Sequence, residues 1–359
     1  MKVAYFIGGL NRGGAESLLL DVCRKHQFVP YDFVCVYRHE GNLSEEFKQS
    51  GAPLIQAPKE GGMIRYMLFL RKLFVREHVN IIHSQTPSNT LLLSLALIGT
   101  GIKIVTTFHG HSFADAAWWQ RKLVYAASEK IICVSNYQKQ YYEEKWQLPE
   151  ENKLQVVYNG VDFAKLDDVK KERVKELKSE GPKLAMVGNF IKGRSQMVIV
   201  KALEQLNAIP LDFYFIGRRD DKEGWRYDQC VQHCQENHLE NVHFLGSRDD
   251  VPELLKSIDG FVYSTEHDTF GIAVIEAMAA ERPVVVNDWP VMTEVCGEGN
   301  AGLRYFKTDD IDDAAAKITA LVKDIDQSKV IAKENAKIIR KKYSIETHVN
   351  NLHKIYQSL

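Results

Sequence analysis

Short apolar runs alternate with helix-period segments along nearly the whole chain, and the series starts twice. KVAYFIG, YDFVCVY, APLIQA, VNIIHSQ, KIVTTFHG and KIICVS form the first series. KLAMVGN, LDFYFIG, NVHFLG, GFVYST and RPVVVND form the second. Runs this apolar are strands buried on both faces, and the segments between them supply crossover helices. After the first run, Ala15, Leu18, Leu19, Val22 and Cys23 recur at helix spacing. The pattern predicts an α/β fold with two parallel sheets, each covered by helices.

With 359 residues, the chain is too long for one ordinary core and suits two domains. The change falls near Asn159, where VVYNGVDF reads as a strand entering an Asn-Gly turn. The charged stretch LDDVKKERVKELKSEGPK then reads as a surface helix or linker. This divides the chain into residues 1–165, a linker and second domain over 166–343, and a terminal amphipathic helix over 344–359. DDVPELLKSI places Asp250 before a proline at a helix start, an N-terminal signal.

A formal net charge of -1 gives no basic field, and no nucleic-acid motif is present. The six scattered cysteines suit reduced thiols. Cys230, His233 and Cys234 share a predicted helix, but with His243 they do not complete a zinc pattern, so helix packing is the expected role. The first run starts without a charged-then-apolar leader, and no apolar run reaches the ~18 residues of a membrane span. The expectation is a protein kept in the cytoplasm.

Chemistry gathers where strands end. GGLNRGGAE carries Gly8, Gly9, Gly13 and Gly14 between the first strand and helix, off the G-x-G-x-x-G spacing of dinucleotide folds. Such a turn admits an anion or sugar to backbone amides, or simply packs tightly. TTFHGHSF sets His109 and His111 after a strand, where an imidazole can donate to a sugar hydroxyl or stabilise transferring charge. His109 is the favoured one. VGNFIKGRSQ offers Gly188 for close approach, with Lys192 and Arg194 as cations suited to a diphosphate; alone, it reads better as a solvated basic turn. EHDTFGIAVIEAMAA puts Asp268 and Gly271 in a loop and Glu276 within the following helix, where a carboxylate can take two ribose hydroxyls. Phe270, Ile272, Val274, Ile275 and Met278 read as core.

Taken in order, GGLNRGGAE, TTFHGH, VSNYQ, VVYNGVD, VGNF…GR, NVHFLGSRDDVPELL and DTFGIAVIEAMAAERPVV resemble the family-4 retaining glycosyltransferases of GT-B fold, the glycosyl transferases of group 1. The resemblance spans nearly the whole chain. It implies two Rossmann-like domains facing across a cleft. The N-terminal domain would bind the acceptor, the C-terminal domain a nucleotide-sugar, and the last helix would cross back to the first domain. The family signature is Glu, seven residues, Glu. Glu276 matches its second acid, on the donor ribose, while Asp268 stands where the first Glu is usual and Glu266 lies nearby. Of the usual phosphate-binding pair, Arg194 matches one position and Asn189 departs from the other, leaving Lys192 as a substitute cation.

The resemblance also carries His109 to the donor sugar, Gly13 and Gly14 to the donor phosphates, and Gly246 to Arg248 to the base. It sets Phe270 and Gly271 in the donor segment and matches Glu294 without fixing its role. It implies transfer with retention through an oxocarbenium-like state, with neither metal nor cofactor. The substrates expected are a nucleotide-sugar, with UDP favoured, and a glycan or lipid-linked acceptor of surface polysaccharide assembly. GMIRYMLFLRKLFVREH mixes Ile64, Met67, Leu68, Leu70, Phe74 and Val75 with Arg65, Arg71, Lys72 and Arg76, and WWQRK follows at Trp118. That suits either an anionic membrane at the inner face or an ordinary amphipathic helix. A degenerate non-catalytic partner subunit and a GT-B sugar-nucleotide epimerase stay open.

Overall fold

The computed structural model describes residues 1–58, 60–169, 174, 176–177, 181–297 and 302–359. It divides into two compact units, Met1–Val161 with Tyr343–Leu359, and Asp162–Lys342. The first holds β1 (Lys2–Gly9), α1 (Gly14–Arg24), β2 (Asp32–His39), α2 (Ser44–Gln49), β3 (Leu54–Gln56), α3 (Met63–Arg76), β4 (Ile81–Ser84) and α4 (Pro87–Ala96). It continues with β5 (Lys103–Phe108), α5 (Trp118–Ala127), β6 (Lys130–Cys133), α6 (Asn136–Trp146) and β7 (Leu154–Val156). The second holds α7 (Ala164–Asp167), β8 (Lys183–Val187), α8 (Gln196–Gln205), β9 (Asp212–Ile216), α9 (Trp225–Glu236), β10 (Val242–Gly246) and α10 (Val251–Ser257). There follow β11 (Gly260–Tyr263), α11 (Ile272–Ala279), β12 (Val284–Asn287), α12 (Pro290–Cys296), β13 (Leu303–Phe306), α13 (Ile311–Lys323) and α14 (Ile325–Tyr343). The chain closes with α15 (Ile345–Gln357), which belongs to the first unit.

Both sheets are parallel. The first runs β3-β2-β1-β4-β5-β6-β7 and the second β10-β9-β8-β11-β12-β13. Each order reverses once, between β1 and β4 and between β8 and β11. Ligands of open parallel sheets bind at such switch points, outside the carboxyl ends of the strands. Alternation along β1 explains the layering. Tyr5 and Ile7 face α1 and α15, with Leu19, Val349 and Leu352. Ala4 and Phe6 face α3 and α4, with Leu70, Phe74 and Leu93.

Several sequence expectations need correction. Asn159 and Gly160 form no turn; the strand ends at Val156, and the chain runs on beneath α15. A Cβ on Gly160 would lie 2.7 Å from the His348 Cβ and 2.8 Å from the Ile345 Cα. The helix start read from DDVPELLKSI holds, with α10 beginning at Val251 and Pro252 in its first turn, although the Asp250 carboxylate turns to Arg248 and does not cap the helix. Leu70 and Phe74 lie in the core and leave Ile64, Leu68 and Val75 outside. β13 has no counterpart among the predicted strands. Eight of the eighteen residues of the predicted linker, 166–183, lie outside the described residues. On α9, Cys230 and Cys234 are buried and His233 reaches Glu204 at 2.7 Å.

Candidate functional site

At the switch point of the second sheet, the loop after β8 and the loop after β11 are stitched together. The Thr265 hydroxyl donates to the Gly193 carbonyl at 2.9 Å, and the Glu266 amide donates to the same carbonyl at 3.1 Å. The Ser195 amide donates to the Ser264 carbonyl at 3.2 Å. Asn287, fully buried at the end of β12, accepts from the Thr265 amide at 3.0 Å and donates to its carbonyl at 2.6 Å. This framework fixes where Arg194 and Asp268 emerge.

The two side chains form an ion pair, largely shielded from solvent. The same Asp268 oxygen accepts from the buried Tyr263 hydroxyl at 2.6 Å. The guanidinium lies over the Tyr263 ring, 5.2 Å from its centroid. Burial opposes the Arg194 charge, but Tyr263 and Asp268 outweigh it and its pKa rises. The same burial pushes the Tyr263 phenol up strongly, so it remains a hydrogen-bond donor at ordinary pH. Arg194 Nε is buried with no hydrogen-bond partner.

Gly271 enters α11 with φ 82° and ψ 56°, a left-handed conformation that favours glycine. No side chain caps the helix, so its first amides have no side-chain acceptor. Val274, Ile275, Ala277 and Met278 anchor α11 in the core with Phe270, and Glu276 sits partly buried in its second turn.

Other predicted residues are placed less centrally. Asn189 accepts from the Arg218 amide at 2.9 Å through Oδ1 and so fixes the turn after β9. Lys192 has an exposed side chain, and its amide donates to Glu223 at 2.5 Å. Close approach at Gly188 is made by its carbonyl, which lies against Gly217; a Cβ on Gly217 would overlap it. Gly246 ends β10 with φ 68° and open space beside it. Arg248 is held by Asp250 and by Glu176. Glu294 lies on α12, where its charge reaches Lys342.

In the first unit, Gly13 starts α1 in extended conformation and Gly14 is the first helical residue. His109 follows β5, and its Nε2 meets Gln85 Oε1 at 3.1 Å. Since that oxygen accepts, the proton sits on Nε2. Burial, helped by His348, lowers the His109 pKa to about 4. His348 comes from α15; its Nδ1 donates to the Tyr158 carbonyl at 2.7 Å, and its own pKa is lowered by burial to about 4. These two, with His83, Thr107 and Asn159, line one small buried cavity. His83 bridges Tyr356 at 2.5 Å and Thr107 at 2.6 Å. His111 instead packs among rings, 4.2 Å from Tyr141.

Two family models divide the chain between them: Glycosyltransferase Family 4 over residues 12–165 and Glycosyl transferases group 1 over residues 168–338. The chain belongs to the family-4 glycosyltransferases. An uncharacterized glycosyltransferase of Methanocaldococcus jannaschii is 27% identical over 237 residues, 65% of this chain and 60% of that protein. The UDP-Gal:alpha-D-GlcNAc-diphosphoundecaprenol alpha-1,3-galactosyltransferase of Escherichia coli is 25% identical over 243 residues, 63% of this chain and 62% of that protein. The matches thus span about three fifths of both relatives. The crystal structure of Anabaena HepE in complex with UDP superposes with a TM-score of 0.86 at 18% identity, covering 100% of each chain. At that identity the likeness speaks for the GT-B fold.

In this family-4 chain the structure brings Arg194 and Asp268 into contact and sets Gly271 at the foot of the helix bearing Glu276. Sequence reasoning missed Tyr263, Thr265, Asn287 and Gly217 in the second unit, and Gln85, His83 and His348 in the first. Of these, His348 had a readable signal. Ile345, His348, Val349 and Leu352 mark one buried helix face, and a histidine there needs a partner.

Proposed function

We propose that the chain moves a sugar from a UDP-sugar to a lipid-linked or glycan acceptor in surface polysaccharide assembly, with retention at the anomeric carbon. The observation that carries this reading is the Arg194–Asp268 pair at the second sheet's switch point, beside the uncapped start of α11. A guanidinium and free helix amides hold a diphosphate. When the donor arrives, its phosphate oxygens replace Asp268 on Arg194, and the freed carboxylate turns to the donor sugar. Glu276 takes the ribose hydroxyls, and the Gly246–Arg248 segment meets the base. His109, neutral and protonated on Nε2, donates to the transferring sugar. The negative charge of the leaving diphosphate is met by Arg194, Lys192 and backbone amides, which requires no metal. UDP as the donor nucleotide is supported by the UDP complex of HepE, and a diphospholipid acceptor by the Escherichia coli relative.

Thermal unfolding with UDP, GDP, ADP and NAD tests the donor site, because a ligand of the folded state raises Tm. UDP is expected to stabilise the wild type, and Glu276→Ala to lose most of that shift. Stabilisation by NAD alone would overturn the reading. NMR of the transferred sugar reads the anomeric outcome. Nucleotide binding without transfer or donor hydrolysis would instead support a non-catalytic partner subunit, and epimerised nucleotide-sugar would support an epimerase.

A further inference from the structure

At the switch point of the first sheet, two elements leave buried polar groups without partners. Arg38 is at the end of β2, and its guanidinium lies over Gly8 of β1, 3.5 Å from where a Cβ would stand. Arg38 Nη2 donates to Asn89 Oδ1 at 3.4 Å, a weak bond. Among the described residues Arg38 makes no ion pair, and its buried Nε has no acceptor. Asn89, only 4% exposed, lies in the first turn of α4, and its buried Nδ2 has no acceptor either. Tyr66 of α3 completes the surroundings; burial raises its phenol to about 12, with the Arg38 charge pulling against that rise. Its hydroxyl donates to the Ala57 carbonyl at 3.0 Å and so is not an acceptor for Arg38.

A cation and an amide donor thus meet at the N-terminus of a ten-residue helix; Thr86 caps the Asn89 backbone amide, but neither Arg38 Nε nor Asn89 Nδ2 has an acceptor. Unmet buried donors are costly, and an uncompensated cation more so. Such a set fits an anion with several acceptor oxygens. We propose that Arg38, Asn89 and the start of α4 bind a phosphoryl group of the acceptor, whether borne by a lipid carrier or by a soluble sugar phosphate. The proposal deepens the glycosyltransfer reading and rests on it for the word acceptor. It concerns the first unit and none of the residues assigned to the donor.

The test is calorimetric titration with inorganic phosphate, octyl phosphate and glycerol phosphate, on protein saturated with UDP and separately on Arg194→Met. Both conditions silence Arg194, the largely shielded phosphate cation of the second unit, and the second does so even if UDP is not the nucleotide. One phosphate site is expected to remain. Arg38→Met should weaken it roughly 10- to 100-fold, the range for a charge-assisted bond. Asn89→Leu should weaken it too, while raising Tm without phosphate, because a buried unpaired amide is gone; a purely structural Asn89 would lower Tm. Tighter octyl phosphate identifies a lipid source, and tighter glycerol phosphate a soluble one. The proposal falls if the remaining site is absent, if both variants bind like wild type, or if inorganic phosphate binds and neither ester does. None of these outcomes depends on sugar transfer, so failure of the transfer reading shows up separately.

Discussion

Arg194 and Asp268 occupy one another in the structure, and under the proposed transfer each is the other's competitor for substrate. On that reading, Asp268→Asn removes the competitor but also the charge proposed to face the sugar. UDP should therefore bind several-fold more tightly by calorimetry, while kcat falls roughly 100-fold, the scale of one lost electrostatic group. A weaker nucleotide affinity would contradict the exchange of partners. Histidines govern acid stability. Burial lowers the pKa of His83 and brings His348 and His109 to about 4. Unfolded histidine titrates near ~6.5, so the unfolded chain takes up protons first as pH falls. Stability should be full above pH ~6.5 and decline toward pH ~4, by roughly a few kcal/mol for each buried histidine. His109 keeps some solvent contact and should contribute less than His83 or His348. Denaturant midpoints from pH 7 to 4 measure this, and His348→Gln should flatten the decline. The sequence exposed His109, Arg194, Asp268 and Glu276 because each follows a strand or opens a helix. It hid Tyr263 and Asn287 because a tyrosine or asparagine inside an apolar run reads as filler. Only the paired loops reveal what their polar ends hold.

At the scale of elements, the strands were legible wherever they are buried on both faces, as in KVAYFIG or RPVVVND. β13 was not, because its four residues set an adjacent arginine and tyrosine between Leu303 and Phe306, and Arg304 reaches out to Ser328. Asn159-Gly160 misled for a different reason. The glycine serves a neighbouring helix, not a turn, and pairing at long sequence separation leaves no local mark. Val161 bridges Ser344 beside it. Gly160→Ala should therefore push against the backbone of α15 and cost roughly 1–3 kcal/mol, the usual price of overpacking. Tm of the variant measures it; an unchanged Tm would mean that α15 shifts freely.

At the scale of the whole molecule, α3, α4 and α5 lie side by side on the first unit. Arg65, Arg71, Lys72 and Arg76 on α3 and Arg121 and Lys122 on α5 make six basic residues, and none of the three helices carries an acid. Ile64 is 73% exposed, Ile98 67% and Trp118 64%. Such a face would suit an anionic bilayer, with the exposed apolar side chains among the headgroups, and vesicle binding tests it. Among the described residues no helix is long and apolar enough to cross a membrane. Co-sedimentation should increase on adding phosphatidylglycerol to phosphatidylcholine vesicles, weaken with salt, and drop several-fold in Ile64→Asp. Equal binding to both vesicle types would remove the membrane from the account.

The return of Tyr343–Leu359 to the first unit also sets an order of events during synthesis. The ribosome makes β1 through β7 first, yet Tyr5, Tyr31 and His83 must wait for Tyr356, which joins their network from α15. The first unit to be translated is therefore the last to be completed. The second, contiguous from Asp162 to Lys342, can close while its predecessor still exposes to chaperones the part of its sheet that α15 covers.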